Sequence, residues 1–184
     1  MVVLLRLMPD PVPIPLWYKS LARLSNDGGY WHEKWHSIRM MELSRADRKC
    51  EICGYDGRIV HEAWVYDDSH PVAVQRLGGF KVICYYCNYG IHVGVASVKG
   101  KADVAVRQLM RVNCISESEV RKVISEVLER WEYRNGLRWV RDVSWLRERA
   151  GYYGLSEKDL DVIVNMVSPQ VEFERLVSAF FVGV

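Results

Sequence analysis

Residues 50–53 read CEIC and residues 84–92 read CYYCNYGIH, so the chain carries two Cys-x-x-Cys pairs. Each pair brings two thiolates close enough to share one metal ion, and four soft sulfur ligands are the set that tetrahedral zinc prefers. Gly54 follows the first pair, where the backbone must turn sharply for its amides to face the sulfurs. We therefore predict a structural zinc (Zn²⁺) held by Cys50, Cys53, Cys84 and Cys87. Two disulfides are the alternative, which the absence of a recognisable secretory signal disfavours.

The residues around the two pairs predict two strands and a helix. Residues 58–66 are rich in β-branched and aromatic side chains and carry His61, which favours a strand. A turn-rich segment at residues 67–71 follows, and residues 80–83 predict a second strand that enters the second pair. Residues 85–98 predict a helix that Gly100 ends. We expect an α+β fold with a zinc-bound ββα-metal (treble-clef) core and with N-terminal and C-terminal helices.

The predicted helix also indicates a second metal site. Asn88 and His92 are four residues apart, so both side chains project from one helical face. If the strand that carries His61 packs on that face, three nitrogen or oxygen ligands converge and leave coordination positions open. Three protein ligands plus water are typical of a catalytic metal ion rather than a structural one.

The order of these motifs resembles that of the HNH endonucleases, a ββα-metal nuclease superfamily. The motifs are Cys-x-x-Cys-Gly from residue 50, His-Glu-x-Trp-x-Tyr-Asp-Asp from residue 61, Gln-Arg-Leu from residue 75, and Cys-x-x-Cys-Asn-x-x-x-His-x-Gly from residue 84. The chain is more closely similar to an HNH-like group in which a His-Glu-x-Trp motif precedes a Cys-x-x-Cys-His-x-x-x-His-x-Gly helix. The likeness runs from residue 15 to residue 146 and includes residues 109–113.

This resemblance implies metal-dependent hydrolysis of DNA phosphodiester bonds. It places His61 at the catalytic histidine, and Asn88 and His92 at ligands of a divalent ion such as Mg²⁺, Mn²⁺, Ni²⁺ or Zn²⁺. HNH enzymes usually carry an Asp-His or His-His pair on the strand, whereas this chain has Val60-His61-Glu62. Either His61 is the general base, or His61 is a metal ligand and Glu62 is the base. The rival hypothesis is a catalytically inactive zinc-bound module that binds nucleic acid or protein.

Strand geometry favours His61 over Glu62 for the catalytic role. Successive side chains of a strand point to opposite faces, so Glu62 shares a face with Trp64 while His61 and Ala63 point the other way. Both candidates can therefore face one metal ion only if a bulge intervenes.

The composition of the chain neither excludes nor indicates DNA binding. The 184 residues carry a net charge of +2, which is mild for a nucleic-acid-binding protein. Basic residues near the metal region are candidate phosphate contacts, although they could equally be ordinary solvated charges: Arg58, Arg76, Lys81, Lys99 and Lys101. No run of about 18 apolar residues occurs, so we expect a cytoplasmic protein that does not cross a membrane.

The flanking regions predict further helices. We expect an N-terminal arm and helices at residues 1–49, the zinc-bound HNH-like module at 50–100, a helical part of the same domain at 101–150, and a C-terminal helical extension at 151–184. Prolines favour an extended arm at residues 9–15, followed by a short helix at 16–24. A helix at residues 30–47 would cover one side of the core with Trp31, Trp35 and Ile38. The apolar tail at residues 176–182 should dock on the core or, if exposed, form a homodimer contact.

Four smaller patterns have structural explanations. Residues 32–36 read His-Glu-Lys-Trp-His, a zinc-peptidase signature, but nothing downstream completes the motif and we interpret it as chance. Residues 137–140 predict a short strand. The fifth cysteine, Cys114, predicts a small buried side chain. Ser116 and Glu119 predict a capping box before an apolar stripe expected in the core: Val120, Val123, Ile124, Val127, Leu128 and Trp131.

Overall fold

Two long antiparallel strands form the centre of the computed structural model, which describes residues 5–17, 20–25, 30–70 and 72–167. β1 spans Ile59–Asp67 and β2 spans Val72–Ile83, and their register places His61 opposite Lys81. The register shifts beside Ala63, because Gly78 is an extra residue in β2 and forms a β-bulge. β2 begins at Val72, eight residues before the start of the strand predicted at residues 80–83.

Among the described residues, a third strand joins the sheet, in the order β1-β2-β3. β3 spans Arg138–Asp142 and runs parallel to β2, with Val72 opposite Arg138. Parallel neighbours need a long crossover connection, and here the crossover consists entirely of helices. These are α3 (Tyr85–Ile91), α4 (Val93–Val98), α5 (Ala102–Asn113) and α6 (Glu117–Asn135).

One face of the sheet is covered by α2, which spans Tyr30–Arg45. Trp31, Trp35 and Ile38 are buried in one cluster with Val60, and the Trp35 ring packs edge-on against Phe80 at 5.5 Å between centroids. Each large apolar side chain buried there contributes about 1.5–3 kcal/mol. Leu146, Tyr153 and Leu160 join the same cluster from three helices, α7 (Ser144–Glu148), α8 (Ala150–Tyr153) and α9 (Glu157–Val167).

The opposite side of the molecule holds the four cysteines and the N-terminal arm. Cys50, Cys84 and Cys87 are buried in a second apolar cluster that includes Leu109. Leu7 enters this cluster from the arm, and its backbone N–H and C=O form hydrogen bonds with the Asn113 side chain at 3.0 and 2.7 Å. The side chain of Leu7 lies so close to Gly90 that a Cβ there would be 2.8 Å from Leu7 Cδ2.

The capping box of α6 is confirmed, but two predictions nearby are wrong. Ser116 and Glu119 cap each other as expected, and Val120 is fully buried. Leu128 is 49% exposed, so the apolar stripe of α6 is narrower than predicted. Cys114 is exposed rather than buried, because it ends α5 in the left-handed conformation (φ 54°) that carries the chain outward.

The N-terminal segment is less helical than predicted. A 3₁₀ helix occupies Ile14–Leu16, and α1 is limited to Leu21–Leu24, with the Ser20 side chain accepting a hydrogen bond from the amide of Arg23. The apolar tail at 176–182 lies outside the described residues. Within the described ranges, no helix is both long enough and apolar enough to cross a membrane.

Candidate metal centres

The four cysteines converge on a single point. The Sγ atoms of Cys50, Cys53, Cys84 and Cys87 all lie within 4.8 Å of one another, and those of Cys53 and Cys84 are 3.6 Å apart. A Zn–S bond of about 2.3 Å in a tetrahedron separates the sulfurs by about 3.8 Å. All four residues are free thiols, so the disulfide alternative has no support. The cluster could bind zinc or another metal ion.

Two glycines allow the backbone conformation of the loop that carries Cys50 and Cys53. The amide of Gly54 donates to the Cys50 carbonyl at 2.8 Å, and Gly54 has φ +80°, a conformation that glycine adopts without strain. A Cβ on Gly57 would lie 2.8 Å from the carbonyl carbon of Lys49 and 2.9 Å from the amide nitrogen of Cys50. Only glycine therefore allows the chain to pass this closely behind the first pair.

The second pair is organised by the start of α3. Cys84 is the N-cap of α3, and its Sγ accepts a hydrogen bond from the amide of Cys87 at 3.4 Å. Burial raises the pKa of Cys84 and Cys87. Burial also raises the pKa of Cys53, but hydrogen bonds from the Tyr55 amide and the neighbouring thiols outweigh it and lower that pKa to about 7. Four adjacent thiols cannot all ionise without a compensating cation, which a divalent metal ion would supply.

A second cluster pairs the two histidines singled out in the sequence. The rings of His61 on β1 and His92 at the end of α3 lie 5.1 Å apart between centroids and meet edge-on. Burial lowers the pKa of His61 to about 3, with further lowering by the nearby charges of His92 and Lys81. Burial alone lowers the pKa of His92 to about 4. Both rings are therefore neutral near pH 7 and keep a nitrogen lone pair that can bind a metal ion or a proton.

His92 occupies a break that the sequence does not predict. We expected one helix over residues 85–98, but His92 has φ −105° and ψ 60° and separates α3 from α4. The amide of Asp10 in the N-terminal arm donates to the Ile91 carbonyl at 2.8 Å, which satisfies a backbone acceptor at the break. Asn88 is half-buried one turn earlier, and its carbonyl accepts from the His92 amide at 2.9 Å. The arm and the last turn of α3 together position His92.

The structure does not bring Glu62 to the histidine pair. Glu62 is 5% exposed on the opposite sheet face, where it accepts hydrogen bonds from the Ala22 amide at 2.9 Å and Trp64 Nε1 at 3.1 Å. Burial raises its pKa, although those hydrogen bonds and Arg141 act in the opposite direction. Its contacts tie the start of α1 to the sheet. The alternation of side chains along β1 is as predicted, since the bulge lies in β2.

The candidate DNA-contacting residues differ in their surroundings. Lys81 is exposed and lies directly opposite His61 across the two strands, so it shares a face with the histidine pair. Lys99 and Lys101 are exposed just after α4 and form no ion pair with the part of the chain that is described. Arg58 is paired with Asp56 at 2.6 Å, and Arg76 is paired with Asp142 at 2.8 Å. These two arginines are therefore partly neutralised by their acidic partners.

The His-Glu-x-x-His motif forms no metal site in the described ranges. His32 and His36 are exposed on α2, and His32 Nδ1 lies 2.8 Å from the Ser25 carbonyl. No further histidine, cysteine, aspartate or glutamate of those ranges joins them as a ligand group.

One residue in contact with the cysteine cluster was missed in the sequence. Gln108 on α5 is 5% exposed, and its Nε2 donates to Cys87 Sγ at 3.1 Å. It lies on the buried face of α5 beside Ala105, Leu109 and Val112. The sequence did contain a signal for Gln108, because it is a polar residue at a position where the helical period of α5 predicts an apolar one.

Comparisons with protein-family models, curated proteins and solved structures found no match to this chain. The fold and the site define a mixed α+β protein with a small three-stranded sheet and a cluster of four cysteines able to hold a metal ion.

Proposed function

We propose that this protein is a metal-dependent DNA endonuclease of the HNH type, with a structural zinc at the four cysteines. The observation that supports the proposal is the contact between His61 of β1 and His92 of α3, two half-buried neutral imidazoles 5.1 Å apart. A histidine pair that was needed only for packing would gain little from two polar rings at a partly desolvated position.

The arrangement of β1, β2 and α3 supports a treble-clef core. β2 ends at Ile83 and α3 begins at Tyr85, so Cys84 joins the hairpin to the helix. Cys50 and Cys53 precede β1 and close the other end of the cluster. Zinc bound by these four sulfurs would hold the hairpin and the helix together, and structural zinc contributes about 10–16 kcal/mol in small peptides.

The donor atoms at the proposed second metal site, beside His61 and His92, favour Zn²⁺ or Ni²⁺ over Mg²⁺. The ligands there would be the His92 imidazole and the Asn88 carboxamide, and no carboxylate or thiol of the described ranges joins His61 and His92 in a ligand group. Imidazole suits Zn²⁺ and Ni²⁺, whereas Mg²⁺ prefers carboxylate and water oxygens. A divalent ion bound there would neutralise charge on the scissile phosphate and on the leaving oxygen.

The side chains of the site have separable tasks in this proposal. His61 accepts a proton from the attacking water, because Glu62 lies on the other face and cannot take that role. His92 and Asn88 hold the ion from the last turn of α3. Lys81, exposed beside His61, contacts a phosphate of the DNA backbone.

Plasmid cleavage by the zinc-loaded protein tests the proposal. We expect nicking of supercoiled DNA with Ni²⁺, Mn²⁺ or Zn²⁺ and slower nicking with Mg²⁺. His61→Ala should lower the rate by about 10²–10⁴-fold, as expected for loss of a general base. His36→Ala, which removes an exposed histidine from α2, is the matched control and should cleave at the parent rate. Equal cleavage by the parent and His61→Ala would refute the assigned role.

The alternative function is a zinc-bound module that binds nucleic acid without cutting it. The observation that favours it is the position of Glu62, which leaves the histidine pair without an acidic partner from β1. This alternative predicts DNA retention on a gel with no cleavage under any divalent metal. Lys81→Gln should then weaken retention for all sequences and reduce the slope of log K against log salt concentration by about 1.

A further inference from the structure

A buried glutamine donates a hydrogen bond to the cysteine cluster, and its orientation is determined by an arginine. Gln108 Oε1 accepts from Arg111 Nε at 3.2 Å and from Arg111 Nη2 at 3.0 Å. A guanidinium has only donors, so the carbonyl end of the amide must face Arg111. The NH₂ end consequently faces Cys87 Sγ, which lies 3.1 Å from Nε2.

Arg111 continues this chain of contacts to the first cysteine pair. Its guanidinium lies over the ring of Tyr55, 4.5 Å from the centroid, where a cation–π interaction stabilises it. Tyr55 belongs to the loop of the first pair, and its carbonyl accepts from the Cys50 amide at 2.6 Å. Contacts therefore run from Cys87 through Gln108 and Arg111 to the loop that carries Cys50 and Cys53.

We propose that Gln108 and Arg111 are positioning residues for the metal ion of the four cysteines and that they determine how tightly the ion is held. Four thiolates around a divalent ion leave two net negative charges. The N–H donor at Cys87 and the guanidinium behind it offset part of that charge and restrict the rotation of the sulfur. Outer partners of this kind typically change metal affinity by about 10–100-fold. This inference rests on the proposed zinc site and does not depend on nuclease activity.

Competition for zinc against a chromophoric chelator tests the inference. We expect Gln108→Leu to weaken zinc binding by about 10–100-fold, because the sulfur loses its donor. Gln108→Glu should weaken it further, since a carboxylate cannot donate and adds negative charge. Arg111→Ala, a change at an exposed position, should give a smaller loss and keeps the test valid if the buried variants do not fold. Arg107→Ala on the same helix removes only an exposed ion pair with Asp103 and should bind zinc like the parent.

A spectroscopic measurement separates positioning of the metal from general stabilisation of the fold. With Co²⁺ in place of zinc, the thiolate-to-metal charge-transfer band should shift in Gln108→Leu and Arg111→Ala but not in Arg107→Ala. Zinc affinity within about threefold of the parent in both test variants, with unshifted bands, would overturn the inference. Absence of zinc binding by the parent would instead overturn the zinc proposal, and absence of plasmid cleavage alone would leave the inference supported by its own data.

Discussion

Replacing the buried Asp68 by asparagine should destabilise the protein more than replacing an exposed residue beside it. Asp68 is 8% exposed just after β1, and it accepts hydrogen bonds from Arg130 at 2.9 and 2.5 Å and from Arg134 at 2.8 Å. Burial raises the pKa of Asp68, but the two arginines outweigh it and hold that pKa below its ordinary value. The carboxylate is therefore charged at neutral pH.

The expected loss comes mainly from Arg134. This side chain is itself 9% exposed, and its guanidinium lies 3.9 Å from the centroid of the Tyr66 ring. Loss of the Asp68 charge removes the carboxylate that is hydrogen-bonded to the buried guanidinium and leaves Arg134 to interact with the charge of Asp10. Breaking a buried ion pair typically costs about 3–5 kcal/mol. The Arg130 side chain is 53% exposed and adds no more than about 1 kcal/mol. We expect the free energy of unfolding to fall by about 3–5 kcal/mol, a large share of the total stability of a domain.

Urea unfolding of the zinc-saturated protein at neutral pH, followed by tryptophan fluorescence, measures this loss. Asp67→Asn is the matched control, because Asp67 is exposed and its carboxylate accepts hydrogen bonds from Ser69, two residues further along the chain. The control should change stability by less than about 1 kcal/mol. The double variant Asp68→Asn/Arg134→Gln should recover part of the loss, because the guanidinium that Asp68 paired is then absent as well. A loss no larger in Asp68→Asn than in Asp67→Asn would refute the reasoning.

Three further perturbations have defined outcomes. Burial raises the pKa of Asp10 from 3.8 to about 6. The folded state therefore binds more protons than the unfolded state between these pH values, and the free energy of unfolding falls by about 1–3 kcal/mol as the pH rises through this range. Asp10→Asn should remove this loss, and parallel pH profiles of unfolding for the parent and the variant would contradict it. Leu7→Ala should lower the free energy of unfolding by about 2–5 kcal/mol, because Leu7 is 1% exposed. Met8→Ala is the control at a neighbouring residue that is 50% exposed, and it should cost less than about 0.5 kcal/mol. Equal melting temperatures of the two variants would disprove the packing role of Leu7. Chelation of zinc should lower stability by at least about 5 kcal/mol in calorimetry, and re-addition of zinc should restore it; an unchanged transition would show that the four cysteines hold no structural metal.

Local signals in the sequence predicted the four-cysteine cluster and the strand that carries His61. The two Cys-x-x-Cys pairs indicated all four members of the cluster, because each pair is a local motif that can be recognised from its spacing alone. Alternation along β1 placed His61 and Glu62 on opposite faces, and their observed contacts agree. The capping box of α6 was predicted for the same reason, since its two hydrogen bonds join residues three positions apart.

Features that depend on distant contacts were not predicted. The second strand was predicted to start at residue 80, but Gly78 and Gly79 already belong to β2, where Gly78 forms a bulge whose existence depends on pairing with β1. The helix break at His92 has no proline, and Gly90 and Gly94 on either side of it did not predict its position. A backbone hydrogen bond from the Asp10 amide to the Ile91 carbonyl, which joins residues 81 positions apart, supports the break. Gln108 interrupts the apolar face of α5, but that pattern does not show its contact with Cys87, which lies 21 residues earlier in the chain.

The parallel pairing of β2 with β3 has a consequence for how the chain is made. Synthesis releases β1, β2 and both cysteine pairs well before Arg138, so the edge of β2 at Val72–Arg76 stays open while the four crossover helices emerge. An open edge can recruit a strand from another molecule. Nascent chains or proteolytic fragments that stop short of residue 138 should therefore self-associate even when loaded with zinc, and a chaperone that shields extended segments should suppress that association.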